Sequence, residues 1–499
     1  MPLSLASLLA EGALRYPAAQ AVVAGSERVS YADLWRQARI VAAQLAALGI
    51  RPGDRVAILL PNVADFPRAY YGILALGAVA VPIHGLLNPT EIAFILSDAE
   101  VKALVSAEPM LSVASAGADR AGVLLVRSDR LPQHLEPLTA LVEREPWDDA
   151  VILYTSGTTG KPKGARLSQL NMFLNAEINA HDVCRATADD VFLGCLPLFH
   201  SFGQSCVMNT AFRVGGTVVL MARFEAAAAI DLMIVEKVTV FTGVPTMYIG
   251  LIAAARGISR RPTLRLAVSG GASNPVAVLE KFEELFATPV YEGYGLSETA
   301  PVATFNQRVF GRKPGTVGCP IWGVRVEIAR ADVEETIEIL PAGELGEIVI
   351  RGHNVFSGYL NNPAATAAAV RDGWFRSGDL GTKDADGFVR IVDRKKDMVL
   401  RGGYNVYPRE VEEVLARHPS VGQVAVIGLP DAVHGEEVCA IVIPSSDGVH
   451  VPADELIAWS KEHLAKYKYP RRVEFVDAFP LGPSGKVLKR ELVERFRGS

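Results

Sequence analysis

Hydrophobic positions in the first third of the chain alternate between helical spacing and short continuous apolar runs. Residues 31–48 place apolar side chains at the spacing of one helix face, which predicts an amphipathic helix that ends near Gly49. Short apolar runs at 55–60 and 78–83 predict strands between such helices. This alternation predicts helices packed on a mostly parallel sheet, whereas the weakly patterned residues 108–145 are expected at the periphery.

The pattern changes twice in the second half of the chain. Residues 151–330 continue the alternation of helices and strands, but residues 344–358 predict the hairpins of a small β subdomain. Residues 393–398 are densely charged and lie between two apolar runs, which in isolation indicates an exposed turn. The helical and strand patterns that follow predict a small α+β unit. The expected fold class is therefore α/β, with a large N-terminal region of helix-flanked, mostly parallel sheets and a small α+β C-terminal region.

Composition excludes several classes of function. The chain has 499 residues, more than one hydrophobic core usually supports, so at least two domains are expected. Acidic and basic residues are interspersed with a net charge of −5, which argues against a nucleic-acid-binding protein. Five cysteines without a C-x-x-C pair argue against a disulfide framework or a zinc site and fit a reducing cytoplasm. There is no basic leader and no sufficiently long apolar stretch, so neither a signal peptide nor a transmembrane segment is expected.

A loop rich in glycine, hydroxyl and lysine residues follows a predicted strand at 150–153. Its sequence is Thr155-Ser156-Gly157-Thr158-Thr159-Gly160-Lys161-Pro162-Lys163-Gly164. Glycines allow close backbone approach to an anion, hydroxyls donate hydrogen bonds to phosphate oxygens, and lysines supply charge. A Walker A loop is excluded because Lys161 is followed by Pro162 rather than by serine or threonine. A flexible linker would not require a preceding strand and two lysines at this spacing, so we interpret the loop as a phosphate-binding site.

Four further segments carry candidate chemistry, although each alone has a simpler interpretation. Glu292-Gly293-Tyr294-Gly295-Leu296-Ser297-Glu298 could be a glycine turn, and Ser377-Gly378-Asp379 a turn whose aspartate accepts backbone N–H groups. The loop Gly482-Pro483-Ser484-Gly485-Lys486 has the composition of an exposed tip. A lone histidine such as His200, after an apolar run, is most often a buried core residue.

Taken together, these motifs resemble those of the adenylate-forming superfamily, which comprises acyl-CoA synthetases and other AMP-binding enzymes. The chain is most similar to a bacterial fatty-acyl-CoA ligase. The motifs occur in the family's order from residue 154 to residue 489, so the resemblance covers essentially the whole chain. It implies an N-terminal AMP-binding domain over residues 1–393, a hinge at 394–397 and a mobile C-terminal domain over 398–499.

The resemblance also implies roles for individual residues. The catalytic residues would be Lys486, which stabilises the forming adenylate, Glu298, which binds Mg²⁺, and His200, which positions the acid without acting as a general base. ATP or AMP would be bound by Thr155, Ser156, Gly157, Thr158, Thr159, Lys163, Gly271, Ala272, Gly293, Tyr294, Gly295, Ser297, Asp379 and Arg394. The acyl pocket would include His200, Phe202, Gly203, Gly270, Gly271 and Gly295. Lys396 would be the hinge residue, and Gly402, Gly403 and Tyr404 would border the CoA tunnel.

Within the nucleotide site, the resemblance assigns individual residues to the adenine, the ribose and the phosphates. Tyr294 would stack near the adenine, Ser297 would touch the α-phosphate, and the two carboxylate oxygens of Asp379 would accept both ribose hydroxyls. The phosphate-binding loop would hold the β- and γ-phosphates that leave as pyrophosphate.

The implied reaction is ATP-dependent activation of a carboxylic acid through an acyl-adenylate to an acyl-CoA thioester. The expected ligands are the acid, ATP, Mg²⁺ and CoA, with no nucleic acid, and a homodimer stays open. A medium- or long-chain fatty acid is favoured because the pocket positions are apolar or small and offer no cation for a second carboxylate. Leu400 supports this choice, because aryl-acid ligases of the family carry a phosphate-contacting lysine there.

Alternative functions remain open from the sequence. One is an aryl- or cyclic-acid CoA ligase, and another is an enzyme that passes the acyl group to an amine or a carrier protein. A nucleotide-binding regulator without catalysis is disfavoured, because Glu298 and Lys486 are both present.

Overall fold

The structure, a computed structural model, describes residues 3–130, 135–155, 162–258, 260–445, 451–482 and 485–497. The strands are β1 (Gln20–Ala24), β2 (Glu27–Ser30), β3 (Arg55–Leu59), β4 (Val79–Pro82), β5 (Ala103–Ser106), β6 (Leu124–Arg127), β7 (Asp149–Thr155), β8 (Lys163–Ser168), β9 (Val191–Gly194), β10 (Thr217–Leu220), β11 (Val240–Gly243), β12 (Leu266–Ser269), β13 (Val290–Gly295), β14 (Val302–Phe305), β15 (Cys319–Pro320), β16 (Val324–Ala329), β17 (Gly346–Gly352), β18 (Gly358–Tyr359), β19 (Val370–Arg371), β20 (Trp374–Lys383), β21 (Val389–Arg394), β22 (Val399–Arg401), β23 (Tyr404–Val406), β24 (Val421–Asp431), β25 (Gly435–Pro444) and β26 (Arg472–Phe475).

The helices are α1 (Ser7–Arg15), α2 (Tyr31–Ala47), α3 (Asp65–Ala75), α4 (Pro89–Asp98), α5 (Leu111–Ala121), α6 (Gln169–Ile178), α7 (Ser201–Gly203), α8 (Thr210–Val214), α9 (Ala226–Val235), α10 (Pro245–Ala255), α11 (Val276–Phe286), α12 (Pro363–Ala369), α13 (Pro408–Leu415), α14 (Ala453–His463) and α15 (Lys489–Phe496). Short 3₁₀ turns lie at Ser128–Arg130 and Ser297–Thr299, and π-helical segments at Asn179–Val183 and Gln204–Asn209.

Two mostly parallel sheets form the N-terminal region. Over the described residues, the nine-stranded sheet has the order β15-β14-β13-β12-β11-β9-β10-β1-β2, with parallel pairing from β13 to β1. The seven-stranded sheet has the order β18-β8-β7-β4-β3-β5-β6, with parallel pairing from β7 to β6. The predicted α/β class is confirmed, because short apolar strands alternate with helices that cover the sheets.

Two smaller sheets account for the remainder of the described chain. Strands β16, β17, β19, β20 and β21 form an antiparallel sheet, as the hairpin pattern predicted. Strands β22 to β26 form a mixed sheet that is accompanied by α13, α14 and α15. The hydrophobic clusters of this last unit draw their buried residues from Val399 to Phe496 only.

Residues 108–145 contain more regular structure than the weak pattern indicated. Helix α5 packs against α4, and β6 pairs with β5 at the edge of the seven-stranded sheet. The expected peripheral position agrees with β6 as the edge strand, and the weak pattern had not revealed α5 or β6. Alanine, glycine and serine fill much of α5, and Leu124 at the start of β6 is exposed. Small side chains and an edge position both weaken a hydrophobic pattern.

The phosphate-binding loop proposed from the sequence joins two antiparallel strands. The strand before it, β7, was predicted, but β8 after it was not. Thr155 at the end of β7 pairs with Lys163 at the start of β8. The loop therefore begins and ends at the same end of the β7–β8 pair, within the seven-stranded sheet.

Candidate active site

Glu298 lies in the 3₁₀ turn that follows β13, and its side chain is buried. Its Oε1 atom accepts hydrogen bonds from the hydroxyls of Tyr359, at 2.9 Å, and Thr155, at 3.4 Å. Thr155 is the first residue of the predicted phosphate-binding loop. The structure therefore brings the start of that loop into contact with the predicted metal-binding carboxylate.

The centre of the phosphate-binding loop lies outside the described residues. This applies to the predicted ligands Ser156, Gly157, Thr158 and Thr159. Near the end of the loop, the Nζ atom of Lys163 lies 5.2 Å from the centroid of the Tyr359 ring. Tyr359 thus contacts two predicted site residues, although the sequence analysis did not select it. Its sequence context, a glycine followed by a tyrosine, is common in turns and did not indicate a functional residue.

Asp379 is held by two side chains from other motifs. The Tyr294 hydroxyl donates a hydrogen bond of 2.6 Å to its Oδ2 atom, and Nε of Arg394 lies 3.2 Å from its Oδ1 atom. Arg394 faces Asp379 across the antiparallel pair of β20 and β21. Burial raises the pKa of Asp379, while the charges of Arg394 and Lys486 and the Tyr294 hydrogen bond oppose the rise. The carboxylate is therefore a partner of site residues rather than only a local turn cap.

Lys486 reaches this cluster from the loop between β26 and α15. The carbonyl of the preceding residue, Gly485, accepts a hydrogen bond of 3.3 Å from the Thr246 hydroxyl on α10. The Cε atom of Lys486 lies 3.8 Å from the position that a Cβ atom on Gly271 would occupy. Burial lowers the pKa of Lys486 to about 8, and the charge of Arg394 contributes in the same direction.

The acidic partners of Lys486 are the same two predicted site residues. The charges of Asp379 and Glu298 oppose the fall of the Lys486 pKa, whereas that of Lys396 adds to it. The tip of the loop, Pro483 and Ser484, lies outside the described residues. Charged residues from three other segments, Glu298, Asp379 and Arg394, therefore surround Lys486, and the roles that the resemblance gives them stay predictions.

A second group of predicted residues lies beside Lys486: His200, Phe202, Gly270 and Gly271. The Nδ1 atom of His200 accepts a 3.2 Å hydrogen bond from the backbone N–H of Phe202, which caps α7. The Phe202 ring occupies the space beside the two glycines, with Cζ 2.9 Å from a Cβ position on Gly270. Burial, with the charge of Lys486, lowers the pKa of His200 to about 3. The imidazole is therefore neutral at physiological pH.

Three other predicted glycines are required by internal packing. A Cβ atom on Gly203 would lie 2.3 Å from the Pro197 carbonyl oxygen, and one on Gly295 would lie 1.7 Å from that of Pro301. A Cβ atom on Gly293 would lie 2.7 Å from the Phe305 ring. Their glycine identity is explained without a ligand, so their assignment to the acyl pocket or the nucleotide site stays a prediction.

Three further residues that the resemblance selected differ in how far they are exposed. Ser297 is half-buried at the start of its 3₁₀ turn, and Ala272 is exposed after Gly271. Lys396 is exposed in the turn between β21 and β22.

The predicted CoA-tunnel residues form an exposed turn. Gly402 and Gly403 have φ of +56° and +83°, and a Cβ atom on Gly403 would have no neighbour within 4 Å. The Tyr404 ring stacks on Tyr467, with centroids 4.8 Å apart. In this structure the turn is a surface of the C-terminal unit, and its role toward CoA stays a prediction.

Two helix-flanked parallel sheets, a smaller unit that delivers Lys486, and a cluster of Glu298, Asp379 and Arg394 are the features of an adenylate-forming enzyme. Residues 9–360 match the AMP-binding enzyme family, and residues 410–486 match the AMP-binding enzyme C-terminal domain. The chain belongs to this family. It is an acid–thiol ligase that uses ATP and proceeds through an acyl-adenylate.

Individual relatives agree on this chemistry but differ in the acid. The chain is 35% identical to a long-chain-fatty-acid–CoA ligase of Bacillus subtilis (strain 168), over 98% of this chain and 94% of that protein. It is 38% identical to a feruloyl-CoA synthase of Amycolatopsis sp, over 96% of each.

Solved structures agree with the fold over the whole chain. ATP-bound MatB from Rhodopseudomonas palustris superposes with a TM-score of 0.91 at 32% identity, over 100% of this chain and 99% of that chain. Apo MatB from the same organism superposes with a TM-score of 0.80 over the same shares of both chains. None of the helices within the described ranges is long and apolar enough to cross a membrane.

Proposed function

We propose that this enzyme converts a medium- or long-chain fatty acid to its CoA thioester. The observation that carries the proposal is the uncharged, apolar surface beside Lys486. Phe202 lies against Gly270 and Gly271, and His200 is neutral because burial lowers its pKa to about 3. Lys486 would pair with the reacting carboxylate. These pocket residues include no second cation that could bind the other carboxylate of a dicarboxylic acid.

The first half-reaction would join the acid to the α-phosphorus of ATP. The carboxylate oxygen attacks phosphorus, the bond to the bridging oxygen of the β-phosphate breaks, and pyrophosphate leaves. Lys486 would lie between the carboxylate and the α-phosphate and stabilise the negative charge that both carry in the transition state. Asp379 would accept the ribose hydroxyls while Tyr294 and Arg394 hold its carboxylate in place.

Glu298 is the residue that fits Mg²⁺. It is a buried carboxylate, and the two hydrogen bonds from Tyr359 and Thr155 both go to Oε1, so Oε2 carries neither. Magnesium bound in proteins usually takes one or two carboxylates together with phosphate oxygens. When bound, Mg²⁺ would neutralise part of the triphosphate charge.

The second half-reaction would follow a rotation of residues 398–499 about Lys396. Here Lys486 lies against Gly271 and Gly485 is bonded to Thr246, which is the arrangement expected for adenylate formation. The higher TM-score with ATP-bound MatB than with apo MatB supports this interpretation. Rotation would withdraw Lys486 and bring the turn of Gly402, Gly403 and Tyr404 to the site, where the CoA thiol displaces AMP.

The experiment that tests the proposal measures pyrophosphate release with a panel of acids, each with and without CoA. Each buried methylene contributes about 0.8 kcal/mol, so KM should fall about fourfold per methylene until the pocket is filled. A flat response across medium and long acids would contradict a fatty-acid substrate.

The same panel separates the alternatives. The feruloyl-CoA synthase relative at 38% identity favours an aryl acid as the second candidate, and hydroxycinnamic acids would then exceed fatty acids in kcat/KM. Acid-dependent pyrophosphate release that CoA does not accelerate would indicate an amine or carrier-protein acceptor.

We also propose a cytoplasmic location. All five cysteines are free and buried, which suits a reducing compartment. The proposed reaction also requires a compartment that contains ATP and CoA. A homodimer is a further possibility, which sedimentation velocity of the purified protein would test.

A further inference from the structure

Tyr359 connects the phosphate-binding hairpin to the turn that carries Glu298. It belongs to the two-residue strand β18, which pairs with β8 so that Tyr359 faces Ala165. Its backbone N–H donates a 2.8 Å hydrogen bond to the Thr366 hydroxyl on α12. The Tyr359 backbone is therefore fixed on two sides before its side chain enters the site.

Residues 356–359 hold Glu298 at both its main chain and its side chain. The backbone N–H of Phe356 donates a 2.9 Å hydrogen bond to the Glu298 carbonyl, and the Tyr359 hydroxyl donates one of 2.9 Å to the Glu298 carboxylate. The Phe356 ring packs edge-on against the Tyr359 ring, with centroids 4.8 Å apart. This contact restricts the rotation of the tyrosine, so the hydroxyl position is set by the packing.

The Tyr359 hydroxyl donates to one oxygen of the Glu298 carboxyl group. An ordinary phenol keeps its proton over the physiological range, so the Tyr359 hydroxyl is the donor in this bond. A hydrogen bond to an ionised carboxylate is stronger than one between neutral groups. Because it goes to Oε1, it orients the carboxylate and leaves Oε2 for another ligand.

The face of the same ring contacts Lys163. The ammonium lies 5.2 Å from the ring centroid, within the distance at which an aromatic face attracts a cation. Lys163 is the second lysine of the phosphate-binding loop and the first residue of β8. One side chain thus contacts both Glu298, which also accepts a hydrogen bond from Thr155 at the start of the loop, and Lys163 near the end of the loop.

We propose that Tyr359 is a positioning residue for the triphosphate end of the site, orienting Glu298 for the metal and holding Lys163 beside the loop. This inference rests on the proposed function, since it assigns Glu298 and Lys163 to Mg-ATP. It adds a residue that touches neither the acid nor the reacting phosphorus. The simpler alternative is that Tyr359 only stabilises the edge strand on which it lies.

The test compares Tyr359→Phe with Tyr154→Phe. Tyr154 is a matched control because it is also half-buried, lies in the same sheet and donates a 2.6 Å hydrogen bond to a carboxylate, that of Asp98 on α4. Binding of Mn²⁺ with α,β-methylene-ATP is followed by electron paramagnetic resonance. Tyr359→Phe should weaken Mn²⁺ binding by about tenfold, the loss typical of one hydrogen bond to a charged group, and Tyr154→Phe should leave it unchanged.

A second readout separates positioning from folding. Thioester formation from supplied acyl-adenylate uses no triphosphate, so Tyr359→Phe should leave that rate unchanged while the KM for ATP in pyrophosphate release rises about tenfold. Equal loss in both half-reactions, or unchanged Mn²⁺ and ATP affinity, would overturn the inference. If the wild-type protein releases no acid-dependent pyrophosphate, the proposed function fails instead, which the wild-type arm shows separately.

Discussion

The Thr246 hydroxyl on α10 donates a 3.3 Å hydrogen bond to the carbonyl of Gly485, the residue before Lys486. This bond joins the nucleotide-binding region to the C-terminal loop without involving the lysine side chain. The Val244 side chain lies beside the same glycine, 3.1 Å from its Cβ position. The loop is therefore docked through Gly485, and Lys486 is carried into the site by this docking.

Removal of that docking bond should slow adenylation selectively. Thr246→Ala removes one neutral hydrogen bond, so we expect about a fivefold fall in the rate of pyrophosphate release. Thr246→Ser keeps the hydroxyl and should restore most of the rate. Thioester formation from supplied acyl-adenylate should not change, because the proposed rotation would withdraw the loop from the site. A parallel fall in both rates would argue against a docking role.

Lys486→Ala should separate the two half-reactions more strongly. Loss of an oriented charge at the forming adenylate should lower the rate of pyrophosphate release by about two to three orders of magnitude or more. Thioester formation from supplied acyl-adenylate should be largely retained. Quenched-flow measurement of each half-reaction checks this, and equal loss of both would refute the rotation about Lys396.

The pH dependence of adenylation should report the ionisation of Lys486. Its pKa is lowered to about 8 by burial and by Arg394, so the ammonium form is lost as pH rises through about 8. Hence kcat/KM for pyrophosphate release should decline above that pH, whereas an ordinary lysine keeps its charge to about pH 10.

Two controls apply to this pH profile. Saturating ATP should move the decline in kcat to higher pH, because the nearby phosphates favour the ammonium. The Lys486→Arg variant should lack the decline, since arginine stays charged. A decline at the same pH in that variant would assign it to another group.

The burial of Glu292 predicts that the free energy of unfolding depends on pH. Burial raises the pKa of this carboxyl on β13 to about 7, and Glu413 adds to the rise, although Arg409 opposes it. The native protein therefore binds this proton more tightly than the unfolded chain. The resulting stabilisation is full below about pH 4.5, the ordinary value, and is lost as pH rises through about 7.

At alkaline pH the buried carboxyl of Glu292 is ionised in the folded protein, which is unfavourable. Replacement of Glu292 by glutamine removes this unfavourable charge. We expect Glu292→Gln to exceed the wild type in free energy of unfolding by roughly 1–3 kcal/mol at pH 8, with the gain shrinking towards pH 5. Urea unfolding at the two pH values measures it. Glu280→Gln on the exposed face of α11 is the control and should show no such pH trend. A gain that is the same at both pH values would contradict the assignment.

Local patterns determined much of this protein from the sequence alone. The apolar spacing of residues 31–48 and the short apolar run of residues 78–83 are properties of single elements, and they appear as α2 and β4. The motif residues Glu298, Asp379, Arg394 and Lys486 could be selected because each stands in a recognisable short segment. Strand β8 and the helix α5 were missed, since alternation and helix periodicity are weak where glycine, alanine and lysine replace large apolar side chains.

The contacts between those segments were decided only by the tertiary structure. Tyr359 is 61 residues from Glu298 in the sequence, and Thr246 is 239 residues from Gly485, so no local pattern relates either pair. Their hydrogen bonds exist because sheet pairing and the docking of the C-terminal loop bring distant backbones together. The same holds for the pKa of Lys486, since burial and the neighbours Arg394, Asp379 and Glu298 arise only on folding. The sequence therefore selected the candidate reacting groups, and the folded chain decided how they are oriented and which charges surround them.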